Sequence, residues 1–290
     1  HIERGFAQLG YEVSHRIYSP HQFGIPQKRN RIFVIAARDG LHDFVWPEPV
    51  AGRAGGIDLI VDRTQANARA LEADKLRVLN HWNLLLPRID KLTSDTILAE
   101  EFGATYPLEG FARRTHSEWS QYRGAFGVSL ASCKTWDEVL ANLPNNACQK
   151  TGAAAAWLRK SPARSRAIYA ADARYLDKWK KELLHAYKSW RKLEWRGYAK
   201  ERDIWQHTIQ FRASGIRIMR REFAPSLIAM TPTQTPILGP EKRYMAAREA
   251  AALQHLEGLP ALPETHAKAF KALGNAVNAF IVSEIVGQLH

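Results

Sequence analysis

The sequence predicts an α/β fold, and three observations support this prediction. Two strand patterns, in residues 11–19 and 31–37, lie near the N-terminal end. Apolar residues at three- and four-residue steps indicate helices in residues 67–86 and 173–195. The third observation is that further helix patterns occur at the C-terminal end of the chain. Helices and strands that are mixed in this way are typical of α/β domains, and 290 residues suffice for one large domain or two modest ones.

The N-terminal elements follow from local patterns. Residues 1–9 have a helix pattern, and Gly10 is a natural stop. Residues 11–19, YEVSHRIYS, alternate as a strand, and residues 20–30 contain the proline and glycine of a loop. Residues 31–37, RIFVIAA, then form a second strand.

The loop and the second strand share an unusual polar pattern. In FGIPQKRNRIFVIAAR, residues 23–38, the side chains of Gln27, Arg29 and Arg31 occupy every second position. Since alternate residues of a strand point to the same side, we expect these three side chains to face one site.

The net charge of +12 is concentrated in one quarter of the chain. Residues 151–222 hold 18 Lys and Arg against 7 Asp and Glu, a net charge of +11. The same segment holds ten aromatic residues, among them Trp157, Trp179, Trp190, Trp195 and Trp205. Two interpretations stay open: a solvated basic helix over an aromatic core, or a surface that contacts the phosphates of nucleic acid.

Residues 173–195 are predicted to form one long amphipathic helix. Its apolar stripe recurs at helical spacing and consists of Leu176, Trp179, Leu183, Tyr187 and Trp190. We expect the aromatic members of this stripe to be core residues rather than stacking partners of a ligand.

Residues 207–231 read as strands on either side of Ser214 and Gly215. A glycine allows a sharp turn or a close approach of two backbones. Four arginines surround this turn: Arg212, Arg217, Arg220 and Arg221. Such a loop suits the reading of base edges or the binding of phosphates, so these residues are candidates for contacts with nucleic acid.

The C-terminal end is predicted to be helical. Residues 243–260 read as a helix that ends at Gly258 and Pro260. Gly274 and Asn275 are expected to turn the chain into a last helix, whose apolar face includes Val277, Ile281 and Ile285. The start of that helix either binds an acceptor group through free N–H groups or is simply capped.

Three stretches in this order closely resemble the C-terminal conserved blocks of the DNA cytosine-C5 methyltransferases: FGIPQKRNRIFVIAAR, RYMAAREAAALQ and ALGNAVNAFIVSEI. Residues 26–35 match the Pro-Gln, Arg-x-Arg block, residues 243–254 the Arg-Glu-Ala helix, and residues 274–277 the Gly-Asn-Ala/Ser-Val block. The family places its target recognition domain between the first two blocks, and in this chain residues 46–240, with the basic segment, occupy that interval.

The resemblance implies a fold and a domain plan. The fold is the C-terminal part of a Rossmann-like S-adenosylmethionine-dependent methyltransferase domain, with a mixed α+β target recognition domain inserted. We expect residues 1–45 to end the catalytic domain and residues 46–240 to bind DNA. Residues 241–290, with the Arg-Glu-Ala helix and the last helix, would return to the catalytic domain.

The family's nucleophilic cysteine is not matched. Cys148 follows Ala147 rather than a proline, and Cys133 stands in ASCKTW, so neither fits the family's Pro-Cys-Gln. Neither the glycine-rich cofactor loop nor the Glu-Asn-Val stretch is found. In the family, all three features lie N-terminal to the helix that opens this chain. We therefore expect the chain to be a C-terminal portion of such an enzyme and to be inactive alone.

The resemblance also implies roles. Arg31 matches the residue beside cytosine O2, while Arg29 and Gln27 would support the pocket or the flipped nucleotide. Asn275 and Ala276 match positions beside the methionine end of the cofactor, S-adenosylmethionine. The family's reaction adds a thiolate to C6 of a flipped cytosine, which activates C5.

The expected partners are double-stranded DNA, the N-terminal half of the methyltransferase and a restriction endonuclease system, in a bacterial cytoplasm. No membrane partner is expected. Whether the N-terminal half belongs to the same chain or to a second subunit stays open. The alternatives are a non-catalytic subunit of a split methyltransferase, an RNA-directed enzyme, which the large basic insert disfavours, and a DNA-binding module without enzymatic activity.

Overall fold

The computed structural model describes residues 2–50, 55–64, 68–108, 114–144, 147, 156–227 and 232–289. It has mixed α/β structure and divides into two compact units. The first unit comprises residues 1–70 and 219–290, and the second comprises residues 71–218. Cys148 lies outside the described residues, as does the side chain of Trp157.

The first unit contains eight named helices and strands within its described residues. In chain order they are α1 (Ile2–Gln8), β1 (Glu12–Tyr18), β2 (Arg31–Ala37), β7 (Ile237–Leu238), β8 (Arg243–Tyr244), α7 (Ala247–Ala252), α8 (His266–Asn275) and α9 (Ala279–Val286). Strands β1 and β2 pair antiparallel over their full length, with Ile17 opposite Ile32. The strand predictions for residues 11–19 and 31–37 are therefore confirmed.

One face of the β1–β2 ladder packs against the last helix. Tyr18 and Phe23 form a core cluster with Ile281 and Ile285 of α9, and Trp46 packs against it. The Tyr18 hydroxyl donates a hydrogen bond to the Pro47 carbonyl at 2.6 Å. Because the buried aromatic residue also satisfies its polar group, this face of the ladder is fixed on the last helix.

The second unit contains the other named elements. They are α2 (Ala73–Leu85), β3 (Ile97–Leu98), α3 (His116–Trp119), α4 (Trp136–Ala141), α5 (Ala156–Ala171), α6 (Ala173–Leu183), β4 (Leu193–Arg196), β5 (Thr208–Arg212) and β6 (Gly215–Met219). The last residue of β6, Met219, is the first residue of the C-terminal segment of the first unit. The four strands lie side by side in the order β3-β4-β6-β5. The predicted turn at Ser214 joins β5 and β6, as expected.

Aromatic residues form the core of the second unit. The Trp179 ring on α6 stacks on His81 of α2, with ring centroids 4.9 Å apart and an interplanar angle of 11°. It also meets Trp82 edge-on, at 4.9 Å. Leu176, Trp179 and Leu183 are buried, which confirms that this part of the predicted stripe is core.

The single long helix predicted for residues 173–195 is wrong. Helix α6 ends at Leu183, and the chain reaches β4 through a short 3-10 turn at Lys188–Arg191. Tyr187 lies beyond the helix and is exposed, whereas the carbonyl of Trp190 accepts a hydrogen bond from the Trp82 indole at 2.9 Å. The Trp190 ring meets the buried Phe211, with ring centroids 5.1 Å apart, although the helix has already ended.

Two C-terminal predictions are also wrong. Residues 243–260 begin as the short strand β8, and only Ala247–Ala252 are helical. Gly274 and Asn275 end helix α8 instead of preceding the last helix, which is capped by Asn278. Val277 lies between the two helices and is exposed.

The stretch His266–Val286 has the length and apolar composition of a membrane span. The structure divides it into α8 and α9, of 10 and 8 residues, and buries Ile281 and Ile285 in the core. Neither helix approaches the roughly 20 residues that cross a bilayer.

Candidate functional site

A compact loop leads into β2 and sets the position of the polar residues. Gly24 adopts a left-handed conformation with φ of 80°, which favours glycine. The buried Ser19 hydroxyl accepts a hydrogen bond from the backbone N–H of Arg29 at 2.8 Å. The backbone N–H of His21 donates to the Gln27 carbonyl at 3.0 Å. The loop is therefore closed on itself before the strand begins.

Arg29 joins this loop to the end of helix α8. Its Nη1 donates to the Ala276 carbonyl at 2.9 Å, and its Nη2 donates to the Gly274 carbonyl at 2.9 Å. Arg29 is 8% exposed, and burial, together with the charge of Arg31, lowers its pKa. The last carbonyls of a helix lack partners within the helix, and a cation is favourable there. Arg29 therefore connects two of the three sequence blocks.

Gln27 connects the loop to the third block. It is fully buried, forms an isolated parallel bridge with Ala224, and accepts a hydrogen bond from the Gln254 side chain at 3.3 Å. The Gln254 carbonyl in turn accepts from the N–H of Ala279 at the start of α9. Gln27 is thus enclosed by protein on several sides.

Arg31 has a different environment. It is the first residue of β2, lies opposite Tyr18 in the ladder and is exposed. Its Nη1 donates to the carbonyl of the preceding residue, Asn30, at 2.8 Å. The prediction that Gln27, Arg29 and Arg31 share one strand face is wrong, because β2 begins at Arg31 and the first two residues lie in the preceding loop. Arg29 and Arg31 nevertheless line the same small cavity, whereas Gln27 does not.

The end of α8 places the two residues predicted to contact the cofactor. Asn275 is exposed and Ala276 is half-buried, with its carbonyl held by Arg29. The next polar residue, Asn278, was missed by sequence reasoning. Its Oδ1 accepts from the Ile281 N–H at 3.2 Å and its Nδ2 donates to the Leu253 carbonyl at 3.0 Å. An asparagine directly before the apolar residues 279–282 was the available capping signal.

The Arg-Glu-Ala block is held together by its own buried ion pair. Arg243 binds the buried Glu249 with two hydrogen bonds, of 2.9 and 2.7 Å. These bonds raise the pKa of Arg243 against the effect of burial. Arg248 donates to the carbonyls of Glu257, Leu259 and Pro260.

The second unit contains most of the residues predicted to bind DNA. Ser214 is exposed at the tip of the β5–β6 hairpin, and Gly215 has a φ of 135°. Arg212 and Arg217 both reach Glu194, at 3.4 and 2.8 Å. The edge of the hairpin therefore carries two arginines that share one carboxylate.

The two remaining arginines belong to the first unit. Arg220 is exposed, and Arg221 forms an ion pair with Asp58. The backbone N–H of Ile57 donates to the Arg221 carbonyl at 2.7 Å, so this residue is fixed through both its backbone and its side chain.

The chain is similar to a known protein family and to several known proteins. A family model described as C-5 cytosine-specific DNA methylase matches residues 1–290. The chain is 41% identical over 97 residues to the Type II methyltransferase M.AluI of Cellulosimicrobium cellulans, which covers 33% of this chain and 18% of that protein. It is 44% identical over 43 residues to M.HaeII of Haemophilus aegyptius, covering 15% and 13%. It is 28% identical over 93 residues to M.MthTI of Methanothermobacter thermautotrophicus, covering 32% and 27%.

Proposed function

The chain belongs to the C-5 cytosine-specific DNA methylase family, and from this premise we propose that it takes part in methyl transfer to C5 of cytosine in a specific duplex sequence. In this proposal the chain supplies DNA recognition and one wall of the active site. The nucleophilic cysteine lies outside the chain. Methylation of cytosine C5 in DNA by restriction-modification type enzymes is the activity of this family.

The position of Arg31 carries the proposal. Arg29 fixes the loop on the end of α8 through two short hydrogen bonds, while Arg31, two residues later, remains exposed beside the same loop. An active-site wall of this kind needs two arginines with different roles. One is buried and orders the site, and the other is exposed and available to a ligand.

Arg31 would act on the flipped cytosine. When a thiolate adds to C6, electron density builds up at O2 and N3 of the ring, and C5 becomes able to take a methyl group. A guanidinium that donates to O2 stabilises this developing charge in a pocket from which water is excluded. Arg29 and Gln27 would hold the loop rather than touch the base.

The family uses S-adenosylmethionine, which supplies the methyl group. The exposed amide of Asn275 fits this cofactor, because an amide both donates and accepts and can therefore bind a carboxylate or an ammonium group. Ala276 adds no side-chain bulk beside it. We propose that these two residues line the methionine end of the cofactor.

An N-terminal half of the methyltransferase is the proposed protein partner, either in the same chain or as a second subunit. Ile17 and Ile32 are cross-strand neighbours, yet they are 59% and 60% exposed. Val13 and Val34 lie on the same face of the ladder by strand alternation. His15, which pairs with Glu3, also lies on this face, so its exposed apolar part is the end at Ile17 and Ile32. This apolar end supports packing against further parts of a catalytic domain.

DNA is the proposed substrate, and residues 71–218 would provide most of the contacts. The basic segment and the arginine-edged hairpin support this assignment, since neutralising phosphates supplies much of the affinity for DNA. A cognate restriction endonuclease would cut the same sequence.

Methyl transfer to a mixed duplex pool tests the proposal, with this chain supplied with and without the N-terminal polypeptide. We expect transfer only with both, at cytosines in one sequence context. Arg31→Ala should then lower turnover by about 10²–10³-fold, as loss of a charge-stabilising donor does, and leave duplex binding intact. Arg38→Ala, which removes an arginine just past β2, is the matched control and should leave turnover unchanged.

Two results would contradict the assignment. If Arg31→Ala abolished duplex binding, Arg31 would serve DNA contact rather than the reacting base. If methyl transfer never occurred, yet DNA was bound regardless of S-adenosylmethionine analogues, a DNA-binding module without enzymatic activity would be the better description.

A further inference from the structure

We propose that Glu194 is a positioning residue for DNA recognition: it holds the guanidinium groups of Arg212 and Arg217 in one arrangement, from which they read the duplex. The inference rests on the proposed function and deepens it, because it assigns the ordering of the recognition surface to a carboxylate. Glu194 itself contacts the arginines and not the DNA.

Three arginines converge on this one carboxylate. Arg217 donates from Nε to Oε2 at 2.8 Å and from Nη2 to Oε1 at 3.2 Å. Arg212 donates from Nη1 to Oε2 at 3.4 Å, and Arg196 donates from Nε to Oε1 at 2.9 Å. Both oxygens of Glu194 are therefore shared, and the two-point contact with Arg217 fixes the plane of that guanidinium.

The strand arrangement creates this convergence. Glu194 and Arg196 lie two residues apart on β4, Arg217 lies on β6 and Arg212 ends β5, and β6 lies between the other two strands. At Gly215 the strands approach so closely that a Cβ would lie 2.9 Å from the Lys192 carbonyl oxygen. That carbonyl accepts a hydrogen bond from the Ile216 N–H at 2.8 Å. The close approach brings the residue two positions later, Arg217, beside Glu194.

The electrostatics keep the cluster charged and basic. Burial acts to raise the pKa of Glu194, but hydrogen bonds from Arg217 and Arg196 outweigh it, and the pKa lies below its ordinary value. One carboxylate against three guanidinium groups leaves an excess of positive charge toward a polyanion. The side chains of Arg212 and Arg217 are 27% and 31% exposed, so solvent reaches them despite the ion pairs.

Ordering of this kind favours selection of a sequence over general affinity. A free arginine contacts phosphates in many arrangements, whereas a guanidinium of fixed plane matches the two acceptors of guanine in one orientation. An acidic residue inside a basic surface weakens attraction to phosphates. Glu194 is therefore expected to lower the affinity for any duplex and to fix the orientation of the arginine side chains. Together these effects raise the ratio of specific to non-specific DNA binding.

Selection from a randomised duplex pool by the 290-residue chain tests this role. The wild type should enrich one sequence motif, and the measured quantity is its affinity for that motif over a scrambled duplex. Glu194→Gln should lower this ratio by about tenfold, the discrimination that one bidentate arginine contact provides, while binding to the scrambled duplex becomes tighter. Glu182→Gln makes the same charge change at an exposed residue of α6 and should keep the wild-type ratio.

Two further variants separate positioning from simple stability. Arg217→Lys keeps the charge but loses the planar fork, so it should lower the ratio and leave the salt dependence of scrambled-duplex binding unchanged. Glu194→Asp keeps a carboxylate and should recover part of the ratio. Thermal unfolding of each variant shows whether the fold is retained.

The outcomes are distinct. An unchanged ratio in Glu194→Gln and in Arg217→Lys would overturn the role of Glu194 and leave DNA recognition standing. A wild-type chain that retains no duplex, or that enriches no motif, would overturn the recognition function itself.

Discussion

The contact of Arg29 with helix α8 predicts a large and local loss of stability when it is removed. Arg29→Met keeps most of the apolar stem but deletes both hydrogen bonds, to the carbonyls of Gly274 and Ala276. Hydrogen bonds to a charged group contribute about 1.5–3 kcal/mol each, and a cation at a helix end adds roughly 0.3–1 kcal/mol. Because solvent and the new side chain offset part of this loss, we expect about 3 kcal/mol less stability for the end of α8.

Hydrogen exchange measured on peptides from α8 and α9 reports this quantity directly. A loss of about 3 kcal/mol corresponds to exchange roughly 100-fold faster, provided that exchange follows local opening. Arg31→Met is the matched control, because it makes the same substitution two residues away at an exposed position. The control should change exchange by less than about threefold, in line with the small effects of surface substitutions.

Two patterns of hydrogen exchange would contradict this prediction. Equal exchange in the two variants would mean that the Arg29 hydrogen bonds do not hold the end of α8. Uniformly faster exchange over the whole first unit would mean that Arg29 supports global folding rather than the local contact between the two sequence blocks.

Three further predictions concern stability. Gly215→Ala places a Cβ in a left-handed backbone against a carbonyl oxygen and should lower the unfolding free energy by about 2–4 kcal/mol; Gly258→Ala, with open space around it, should change little in the same urea titration. The lowered pKa of Glu194 means that its stabilising contribution is present above the unfolded pKa of about 4.3 and is lost as the pH falls through the folded value; unfolding measured from pH 6 to pH 3 should therefore show Glu194→Gln and wild type converging at the acid end. Glu249→Gln breaks the buried pair with Arg243 and should cost about 3–5 kcal/mol, and a normal urea midpoint would contradict this.

Local patterns were sufficient to find several elements. Alternation predicted β1 and β2, and the serine and glycine at 214 and 215 predicted the hairpin between β5 and β6. These elements are short and are set by neighbouring residues, so a window of the sequence contains most of the information. The basic segment was equally visible, because charge is additive along the chain.

Periodicity was misleading where core contacts outlast a helix. Trp190 continues the spacing of Trp179, yet the chain leaves the helix at Leu183 and supplies Trp190 through a 3-10 turn. A repeat of apolar residues indicates shared burial, but it does not show that one helix carries them, and here Tyr187 is exposed although it fits the repeat. The same limit concealed Glu194, which sequence reasoning assigned to the end of a helix.

The family blocks, the basic segment and the two arginines at the entrance to a strand could all be identified from the amino-acid sequence. Residue type and local sequence did not distinguish these arginines, since Arg29 and Arg31 have the same chemistry and nearly the same neighbours, and only the family resemblance assigned Arg31 to the base and Arg29 to support. Tertiary structure decided between them: Arg29 meets the carbonyl of Gly274, 245 residues away, and is buried, while Arg31 stays exposed. The physical reason is that a helix end needs a donor for its free carbonyls, and only the folded chain places that helix end beside one arginine and not the other.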